Sequence, residues 1–472
     1  MIRFLNAHFP SRTILLGMSD ACLVTIAFLL ATVVRLGTTN ATLMLAYENG
    51  ILKIVVISGA FMTCMYYFDL YDSSVLSNPS EVLTRIIQVL GTVCICLALL
   101  YYVYPSVALG RGIFVVGFIL MAIALFLWRH LFLKLNMLPE FAVRTLVFGD
   151  GPLSEPLLCE FGSRPELGVH VVGHVLGSEN GSSPPACERR ACSEEPVVTV
   201  SGDDLVRAVQ SFQVKRIVIA MGERRGKLPV EVLLSLKSSG VTVQDGTDVY
   251  EAITGKVPIE SIRLGWLLFS PGFHVSRFLL FYKRFSSIVI SVTGLLLCIP
   301  LVPLVVLAIK LTSFGPVLYR QKRVGRKGVV FECFKFRTMC ADAEADSGPT
   351  WADDDDPRIT SVGRFLRKCR MDEIPQLWNV LRGDMHLVGP RPERPEFVES
   401  LSEAIPHYHL RHAVRPGITG WAQIRYKYGN SVEDAREKLR YDLFYIKNMA
   451  IGLDVLIFVQ TLKVILLGRG AK

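Results

Sequence analysis

Residues 286–312, SSIVISVTGLLLCIPLVPLVVLAIKLT, form an apolar segment whose flanks decide the fold of this chain. About 20 apolar residues suffice to cross a hydrocarbon core, so length alone allows a span. Lys283 and Arg284 precede the segment, and five cations follow between residues 320 and 327. A full span would carry one basic cluster across the membrane, against the positive-inside bias. Because Pro300 and Pro303 break the helix in mid-segment, we expect a re-entrant hairpin that returns to the same face.

Four more apolar segments in the first third of the chain predict a bundle of transmembrane helices. They cover residues 13–34, 51–68, 86–104 and 113–133. Arg3 and Arg12 precede the first segment, while Lys134 and Arg144 follow the fourth. The positive-inside rule therefore places the N-terminus and everything after Arg144 in the cytoplasm. None of the four segments has a central charged residue, which favours an anchor over a transport path. No convincing cleavage site follows the first segment, so we expect it to be retained in the protein.

Composition points to a membrane protein of several domains. The chain has 472 residues, 51% of them hydrophobic, and a mean hydropathy of +0.40, which is high for a soluble protein. Its net charge of +9 suits anionic lipid or phosphorylated substrates. Nucleic acid is not expected as a partner, because the basic residues cluster beside apolar segments. The eleven cysteines form no disulfide framework, and Cys187 and Cys192 lack the neighbours of a zinc site.

From Val143 onward, apolar strands alternate with helices and predict a parallel α/β domain. The predicted strands cover residues 143–151, 169–177, 216–222 and 241–246. Gly149 and Gly151 fit a G-x-G-x-x-G fingerprint, but Ser154 occupies its third position and no acidic residue ends the second strand. The broken fingerprint favours a structural or regulatory domain over one that binds NAD. The polar residues 178–196 predict a loop.

An adjacent acid pair, Asp372 and Glu373, stands out within residues 367–392, RKCRMDEIPQLWNVLRGDMHLVGPRP. The pattern predicts a helix that starts at this pair, with Pro375 in its first turn. The arginines around the pair are Arg367, Arg370 and Arg391. A carboxylate that attacks phosphorus needs such cations, and a second carboxylate can hold a metal ion. The alternative is that Asp372 caps the helix and Glu373 complements its dipole; the arginines favour the catalytic interpretation.

Other polar clusters have plainer interpretations. Residues 315–339 place seven cations among apolar residues and predict a strand pair facing lipid head groups or phosphate. The acidic run 353–356 predicts a solvated loop rather than a metal site. His386 and His409 are expected to be structural rather than general bases. Residues 451–467 predict an amphipathic helix along the membrane surface.

Several motifs together resemble the bacterial sugar transferase family, the polyprenyl-phosphate hexose-1-phosphate (phosphoglycosyl) transferases of the large monotopic type. The matching segments are YKRFSS from Tyr282, IKLTSFGPVLYRQKRVG from Ile309, FKFRTM from Phe334, DPRITSVGRFLRKCRMDEIPQLWNVLRGDMHLVGPRPERPEF from Asp356, and RPGITGWAQIRYKYG from Arg415. GKVPIESIRLGWLLFSPGF, from Gly255, resembles the subgroup found with exosortase-associated exopolysaccharide systems. The resemblance implies a four-helix transmembrane bundle (1–140), a Rossmann-like α/β domain (141–265), a linker with a re-entrant hairpin (266–312) and an α/β catalytic domain (313–472).

The resemblance also implies a reaction and its residues. A UDP-sugar would donate its sugar 1-phosphate to undecaprenyl phosphate and release UMP. Asp372 matches the nucleophile that forms a covalent phosphosugar intermediate. Glu373 matches the partner carboxylate, expected to hold Mg²⁺ and to assist deprotonation of the acceptor. Arg367 and Arg391 match arginines that bind phosphate or lie near the nucleotide.

The remaining implications concern the membrane. Lys283 and Arg284 match a basic pair suited to the polyprenyl phosphate, and Pro300 matches the helix-breaking proline, with Pro303 as the alternative. The resemblance places the protein in the bacterial inner membrane, among its lipids, with the catalytic domain on the cytoplasmic face. It implies the first step of exopolysaccharide or O-antigen-type assembly, and it leaves the sugar and a homodimer open.

Two alternative functions follow from other classes of protein. A glycosyltransferase would move the sugar alone and release UDP. A non-catalytic scaffold or sensor of a polysaccharide export complex would need no reactive carboxylates, so the intact Asp372–Glu373 pair argues against it.

Overall fold

The computed structural model describes most of the chain, in two compact units. The described residues are 2–4, 7–9, 11–72, 75, 79–137, 142–164, 167–176, 198–201, 205–222, 228–261, 276–340, 356–426, 429 and 431–466. The first unit runs from Phe9 to Val249 with the first two residues, and the second runs from Tyr250 to the end with Arg3–His8. Three stretches lie outside the described residues: the predicted loop 178–196, the segment 262–275 and the acids at 353–355.

The first unit begins with long apolar helices, as predicted. After two short paired strands, β1 (Ile2–Phe4) and β2 (Ala7–Phe9), the helices are α1 (Ser11–Tyr47), α2 (Gly50–Tyr67), α3 (Pro79–Val103) and α4 (Arg111–Met137). Phe28, Phe61 and Met121 are buried where these helices pack together, while Leu99 and Ile119 are exposed. Helices that are apolar on their packed and outward faces alike are typical of a lipid environment.

A buried ion pair lies inside this helical region. Nη2 of Arg129 on α4 donates to Oδ2 of Asp20 on α1 at 2.6 Å, and both side chains are fully buried. The guanidinium also lies 5.1 Å from the ring centre of Tyr71. The sequence predicts no central charged residue in these segments. Asp20 and Arg129 lie off-centre in the first and fourth segments, and their pairing was not predicted. Local sequence did not reveal the pair because its members are 109 residues apart.

The α/β part of the first unit is a five-stranded parallel sheet. Its elements are β3 (Val143–Phe148), α5 (Ser154–Ser163), β4 (Val169–Leu176), β5 (Val198–Ser201), α6 (Leu205–Ser211), β6 (Arg216–Ile219), α7 (Val230–Ser238), β7 (Thr242–Asp245) and α8 (Gly246–Thr254). The strand order is β5-β4-β3-β6-β7, with Phe148 opposite both Val175 and Ile219. The four predicted strands are confirmed, and β5 was missed.

The two glycines of the broken fingerprint have a packing role. Gly149 has φ +115°, and a Cβ there would lie 2.7 Å from the backbone nitrogen of Met221. A Cβ on Gly151 would lie 2.3 Å from the carbonyl oxygen of Ala220, which accepts a hydrogen bond from the Gly151 nitrogen. The turn after β3 therefore needs glycine because the chain after β6 passes so close to it.

Helix α8 crosses from the first unit into the second, which begins at Tyr250; the predicted domain boundary at residue 265 stays a prediction. Lys447 donates to both carboxylate oxygens of Glu251 at 2.8 and 3.0 Å, and both residues are buried. The indole nitrogen of Trp421 donates to the carbonyl of Gly255 at 2.9 Å. These contacts tie the segment after Tyr250 to the C-terminal domain rather than to the sheet.

The apolar segment 286–312 is helical but interrupted. Helix α9 (Arg277–Cys298) passes through a 3₁₀ turn at Ile299–Leu301, which contains Pro300, into α10 (Val302–Thr312). A straight helix over these 36 residues would be about 54 Å long, well beyond the roughly 30 Å of a hydrocarbon core. Lys283 on α9 contacts Val388, and Ile309 on α10 packs with Phe336, so both arms contact the same unit. The re-entrant hairpin remains a prediction with which these contacts agree.

Five helices among the described residues are long and apolar enough to cross a membrane. They are Arg12–Tyr47, Gly50–Tyr67, Pro79–Val103, Arg111–Phe132 and Arg277–Thr312. The last one combines α9 and α10, and most of its surface is exposed and apolar, including Leu296, Leu297, Leu304 and Leu307.

The catalytic domain predicted from the sequence is a set of short strands and helices on one core. Its elements are β8 (Leu318–Val324), β9 (Val330–Phe336), α11 (Ser361–Lys368), α12 (Gln376–Arg382), β10 (His386–Val388), α13 (Pro395–Ala404), β11 (Gly417–Thr419), α14 (Trp421–Arg425), α15 (Val432–Lys447) and α16 (Ile451–Leu466). Strands β8 and β9 are antiparallel, which confirms the predicted strand pair. Leu453 and Ile457 of α16 are buried in the core, so this helix has one face packed on the domain.

Candidate active site

Asp372 and Glu373 lie in a tight turn between α11 and α12. The turn is a 3₁₀ helix at Met371–Glu373, and Arg370 before it has φ +55°. Pro375 directly precedes α12. The predicted start of an α-helix at Asp372 is therefore wrong by four residues, because the left-handed Arg370 forces the chain to turn first. Both carboxylates are buried, with 7% and 8% of the residue exposed.

Glu373 is surrounded by cations. Its Oε1 accepts from Nη2 of Arg391 at 2.6 Å, and lies 3.3 Å from Nζ of Lys335 and 3.8 Å from Nη1 of Arg370. Burial alone would raise the pKa of Glu373, but Arg391, followed by Lys335 and Arg370, outweighs burial and holds this pKa well below its usual range. Glu373 is therefore a stable carboxylate and a poor proton acceptor, which argues against its expected part in deprotonating the acceptor.

Asp372 has the opposite electrostatic balance. Burial raises its pKa, and the charge of Glu373 adds to the rise; Lys335, Arg391 and Arg367 oppose it only in part. Its Oδ1 is buried and has no hydrogen-bond partner among the described residues. Such an atom costs about 1–3 kcal/mol, a cost that a bound electrophile or cation would remove. Pro375 is the N-cap of α12 and no side chain caps that helix, so the capping alternative for Asp372 is wrong.

Arg391 is held in place by its backbone. The carbonyl of Arg391 accepts from Nη2 of Arg411 at 3.0 Å, and the same nitrogen forms an ion pair with Asp442 at 2.9 Å. On the other side of the turn, Nη1 of Arg323 donates to the carbonyl of Pro392 at 3.0 Å. The sequence did not single out Arg411, Asp442 or Arg323. Their only signal would have been a buried charge pair, which a single sequence does not show.

Lys335 is positioned through a buried amide. Asn379 on α12 is fully buried; its Oδ1 accepts from the backbone nitrogen of Phe334 at 3.0 Å, and its Nδ2 donates to the carbonyl of Glu332 at 2.7 Å. These two bonds join α12 to β9, the strand that carries Lys335. Asn379 thus holds the strand that carries Lys335 against the helix that follows Glu373, and sequence reasoning did not identify it.

Arg367 lies on α11 next to the acid pair. Its Nε donates to the hydroxyl of Thr338 at 3.0 Å, and its charge lowers the pKa of Asp372. Arg367, Asp372, Glu373 and Arg391 are therefore brought together, as the sequence predicts. Their roles toward a substrate remain predictions.

Lys283 and Arg284 are engaged elsewhere in the same domain. Nζ of Lys283 forms an ion pair with Asp454 at 2.7 Å and also donates to the Tyr445 hydroxyl and the Val388 carbonyl. The guanidinium of Arg284 donates to two carbonyls at the end of α12, one of them 2.8 Å away. Both cations therefore have structural partners, and their predicted role in binding a polyprenyl phosphate stays a prediction.

A cavity of about 220 Å³ lies beside Lys283. It is lined by Leu280, Lys283, Arg326, His386, Val388, Ala413, Val414, Arg415, Tyr445 and Met449. Burial lowers the pKa of His386 to about 3, and the nearby charges add to this in the order Lys283, Arg415, Arg284 and Arg326. His386 is therefore neutral and only weakly basic, in line with its expected structural role. Arg326 and Arg415 were not singled out in the sequence.

The acid pair offers carboxylate oxygens of the kind that a magnesium ion binds. Among the described residues, no group of three or more His, Cys, Asp or Glu side chains could hold a metal. Mg²⁺ is commonly bound by one or two carboxylates together with phosphate oxygens and water. Asp372, with its unpartnered Oδ1, and Glu373 provide that donor set, and the acidic Asp356 is instead paired with Arg358 at 2.6 Å.

Comparison with known proteins gives two family matches. Residues 278–468 match the bacterial sugar transferase family, and residues 66–244 match a family described as a CoA-binding domain. The chain is 44% identical over 227 residues to UDP-N-acetylgalactosamine-undecaprenyl-phosphate N-acetylgalactosaminephosphotransferase of Aeromonas hydrophila, covering 48% of this chain and 52% of the relative.

Two further relatives share the name UDP-glucose:undecaprenyl-phosphate glucose-1-phosphate transferase. The Escherichia coli (strain K12) protein is 33% identical, over 67% of this chain and 66% of the relative. The Caulobacter vibrioides protein is 43% identical, over 38% of this chain and 67% of the relative. The chain thus matches between half and two thirds of the length of these three proteins.

Proposed function

Because the chain belongs to the bacterial sugar transferase family, we propose that it transfers a sugar 1-phosphate from a UDP-sugar to undecaprenyl phosphate and releases UMP. The observation that carries the proposal is the unequal acid pair. Asp372 has a raised pKa and an unpartnered buried oxygen, while three cations hold Glu373 ionised. Two adjacent carboxylates with such different environments are suited to different tasks.

The proposed reaction has two displacements at one phosphorus atom. In the first, a carboxylate oxygen of Asp372 attacks the β-phosphorus of the UDP-sugar; an O–P bond forms and the P–O bond to UMP breaks. In the second, an oxygen of undecaprenyl phosphate attacks the same phosphorus. The new diphosphate bond forms, the bond to Asp372 breaks and the free carboxylate returns.

The cations around the pair stabilise charge at the phosphates. Arg367 lies close enough to lower the pKa of Asp372, so it is suited to the phosphate under attack. Arg391 presents a planar guanidinium, which matches phosphate geometry, and Arg411 fixes its backbone. Glu373, kept anionic by Arg391, Lys335 and Arg370, orients these cations toward the site.

We expect Mg²⁺ as the cofactor, held by Glu373 together with the substrate diphosphate. When bound, Mg²⁺ would supply positive charge to the phosphate oxygens. Asp372 is the other carboxylate that could contact it.

The proposal extends to location and organisation. The chain would lie in the bacterial inner membrane with a re-entrant hairpin broken at Pro300, so that soluble UDP-sugar and the lipid phosphate meet on the cytoplasmic face. The sheet order, read as 3-2-1-4-5 within its domain, is that of the first five strands of the Rossmann order and supports a Rossmann-like domain. The product would start exopolysaccharide or related glycan assembly.

The test uses the full chain in nanodiscs with undecaprenyl phosphate, Mg²⁺ and a panel of radiolabelled UDP-sugars. We expect UMP and a lipid-linked sugar diphosphate, and loss of both in Asp372→Asn. Glu403→Gln, an acid-to-amide change at an exposed position of α13, is the matched control and should retain full turnover. Release of UDP, or full turnover by Asp372→Asn, would contradict the proposal.

The hairpin needs its own experiment. A cysteine in place of Lys322, in a chain whose other exposed cysteines are replaced, should react with a membrane-impermeant maleimide only from the cytoplasmic side. Labelling from the outer side would show that α9 and α10 cross the membrane.

A further inference from the structure

The cavity beside Lys283 contains a second cluster of cations, separate from the one around Glu373. Its lining includes Lys283, Arg326 and Arg415 but none of Asp372, Glu373, Arg367 or Arg391. Arg284 also lies close enough to lower the pKa of both His386 and Arg415. Three cationic side chains therefore line this space and a fourth, Arg284, lies nearby, and the two displacements at phosphorus proposed above do not use them.

Two of these cations have no side-chain partner within the described part of the chain. Lys283 is paired with Asp454, and Arg284 donates to backbone carbonyls. The side chains of Arg326 and Arg415, in contrast, make no hydrogen bond or ion pair with any residue that the structure describes. Asp384 raises the pKa of Arg415, but this carboxylate is itself paired with Arg382 at 3.5 Å.

Such a cluster is costly without an anion. Like charges that lie near one another at a protein surface repel more strongly than they do in bulk water. The pKa of Arg415 is lowered first by burial and then by the charges of Arg284 and Arg326, as expected from this repulsion. A phosphate ester would reverse it, because guanidinium groups bind phosphate oxygens through paired N–H donors.

The walls of the cavity suit a phosphate attached to a larger group. Leu280, Val388, Val414 and Met449 provide apolar surface next to the cations. Leu280 lies on the first turns of α9, where Phe278 and Phe281 are exposed. The cavity is therefore next to the apolar face that leads into the predicted membrane segment.

Short backbone segments connect this cavity to the acid pair. The carbonyl of Val388 accepts from Lys283, and three residues later Arg391 contacts Glu373. Arg411, which holds the carbonyl of Arg391, lies two residues before Ala413 in the cavity wall. A ligand here would lie close to the catalytic cluster without displacing it.

We propose that Arg326 and Arg415 bind the phosphate ester of a substrate in this cavity, with Lys283 and Arg284 adding to the positive potential. The proposal rests on the proposed function for its choice of substrates. Two sources share this chemistry: the phosphate of undecaprenyl phosphate and the phosphates of the uridine nucleotide.

Direct binding separates the sources. The full chain carrying Asp372→Asn, which blocks turnover, is placed in phosphatidylcholine nanodiscs, and binding is measured with undecaprenyl phosphate by native mass spectrometry and with UMP by calorimetry. Adding Arg326→Gln and Arg415→Gln removes two charge-assisted contacts. We expect binding of one probe to weaken by about tenfold or more, with the other unchanged. The affected probe identifies the ligand.

Controls keep the result interpretable. Arg436→Gln makes the same chemical change on α15, at a partly exposed pair with Glu433, and should bind both probes normally. Arg326 is exposed, so Arg326→Gln alone should fold even if the double variant does not, and should show part of the loss.

The inference can fail while the proposed function stands. Unchanged binding of both probes by the folded variants, or no binding of either probe by the Asp372→Asn chain, would overturn the phosphate site. UMP release by the chain with Asp372 intact would still support the transferase. Failure of that release, with probe binding still dependent on Arg326 and Arg415, would contradict only the proposed reaction.

Discussion

Asp442→Asn is expected to weaken both the fold and the active site, because Asp442 forms a buried ion pair with Arg411. The two groups are 2.9 Å apart, and only 2% and 6% of their side chains are exposed. The substitution keeps the shape of the side chain and removes its charge. Arg411 then keeps the Tyr408 hydroxyl and the Arg391 carbonyl as partners, but no anion.

The magnitude follows from the burial. Removing one partner of a buried ion pair costs about 3–5 kcal/mol, since the other charge is left uncompensated. Burial raises the pKa of Asp442 to about 6 even though Arg411 opposes the rise, so its carboxylate is already partly penalised. We therefore expect the free energy of unfolding to fall by about 3 kcal/mol, the lower end of this range. The loss should appear as a lower apparent Tm in detergent micelles.

Activity should fall through Arg391. Without the ion pair, Arg411 still donates to the carbonyl of Arg391 but is itself no longer held by Asp442. The backbone that positions the guanidinium of Arg391 against Glu373 is therefore held less firmly. The double substitution Arg411→Met with Asp442→Leu separates the two effects. It removes both charges and should recover much of the stability, while kcat stays low because Arg411→Met removes the donor to the carbonyl of Arg391.

A matched control lies on the same helix. Glu433 pairs with Arg436 at 2.8 Å, but 64% of the Glu433 side chain is exposed, so Glu433→Gln should change stability by less than about 1 kcal/mol. The reasoning would be refuted if Asp442→Asn matched Glu433→Gln in apparent Tm and kept the parental kcat.

Three further substitutions test other parts of the structure. Lys335→Met removes a cation that lowers the pKa of Asp372, so the acid limb of the pH profile of kcat/KM should move to higher pH. An acid limb that stays in place or moves to lower pH would argue against Asp372 as the ionised nucleophile. His386 has its pKa lowered from 6.5 to about 3, so its stabilising contribution is complete above pH 6.5 and is lost as the pH falls toward 3. That contribution is at most roughly 5 kcal/mol, and the apparent Tm of His386→Gln should fall less steeply below pH 6.5, whereas equal slopes would contradict this. Asp20→Asn leaves Arg129 buried without its anion and should cost about 3–5 kcal/mol; a Tm equal to that of the parent chain would contradict a structural role for the pair.

Local patterns were sufficient for much of the fold. The apolar run that forms β3 and the glycine turn after it were predictable because a buried parallel strand needs nothing beyond its own residues to be recognised. The start of the next helix was not predicted correctly, because the left-handed backbone of Arg370 places a 3₁₀ turn at Asp372. Pro375 was correctly expected near the start of a helix but directly precedes it.

The candidate site likewise has residues that the sequence predicted and residues that it did not. Asp372, Glu373 and Arg391 stand within one short motif, so the sequence placed them together. The pairs Arg411–Asp442 and Asp20–Arg129 join residues 31 and 109 positions apart. Pairs of this kind depend on how distant helices pack, which periodicity and spacing do not encode.

The most direct test of the central claim is detection of the phosphosugar on Asp372. The purified chain is incubated with a UDP-sugar and Mg²⁺ but no lipid acceptor, then analysed by intact-protein and peptide mass spectrometry. The account predicts one sugar phosphate attached to the peptide containing Asp372, an equal amount of UMP, and loss of the adduct when undecaprenyl phosphate is added. No adduct under conditions where the full reaction proceeds, or an adduct that persists in Asp372→Asn, would contradict it.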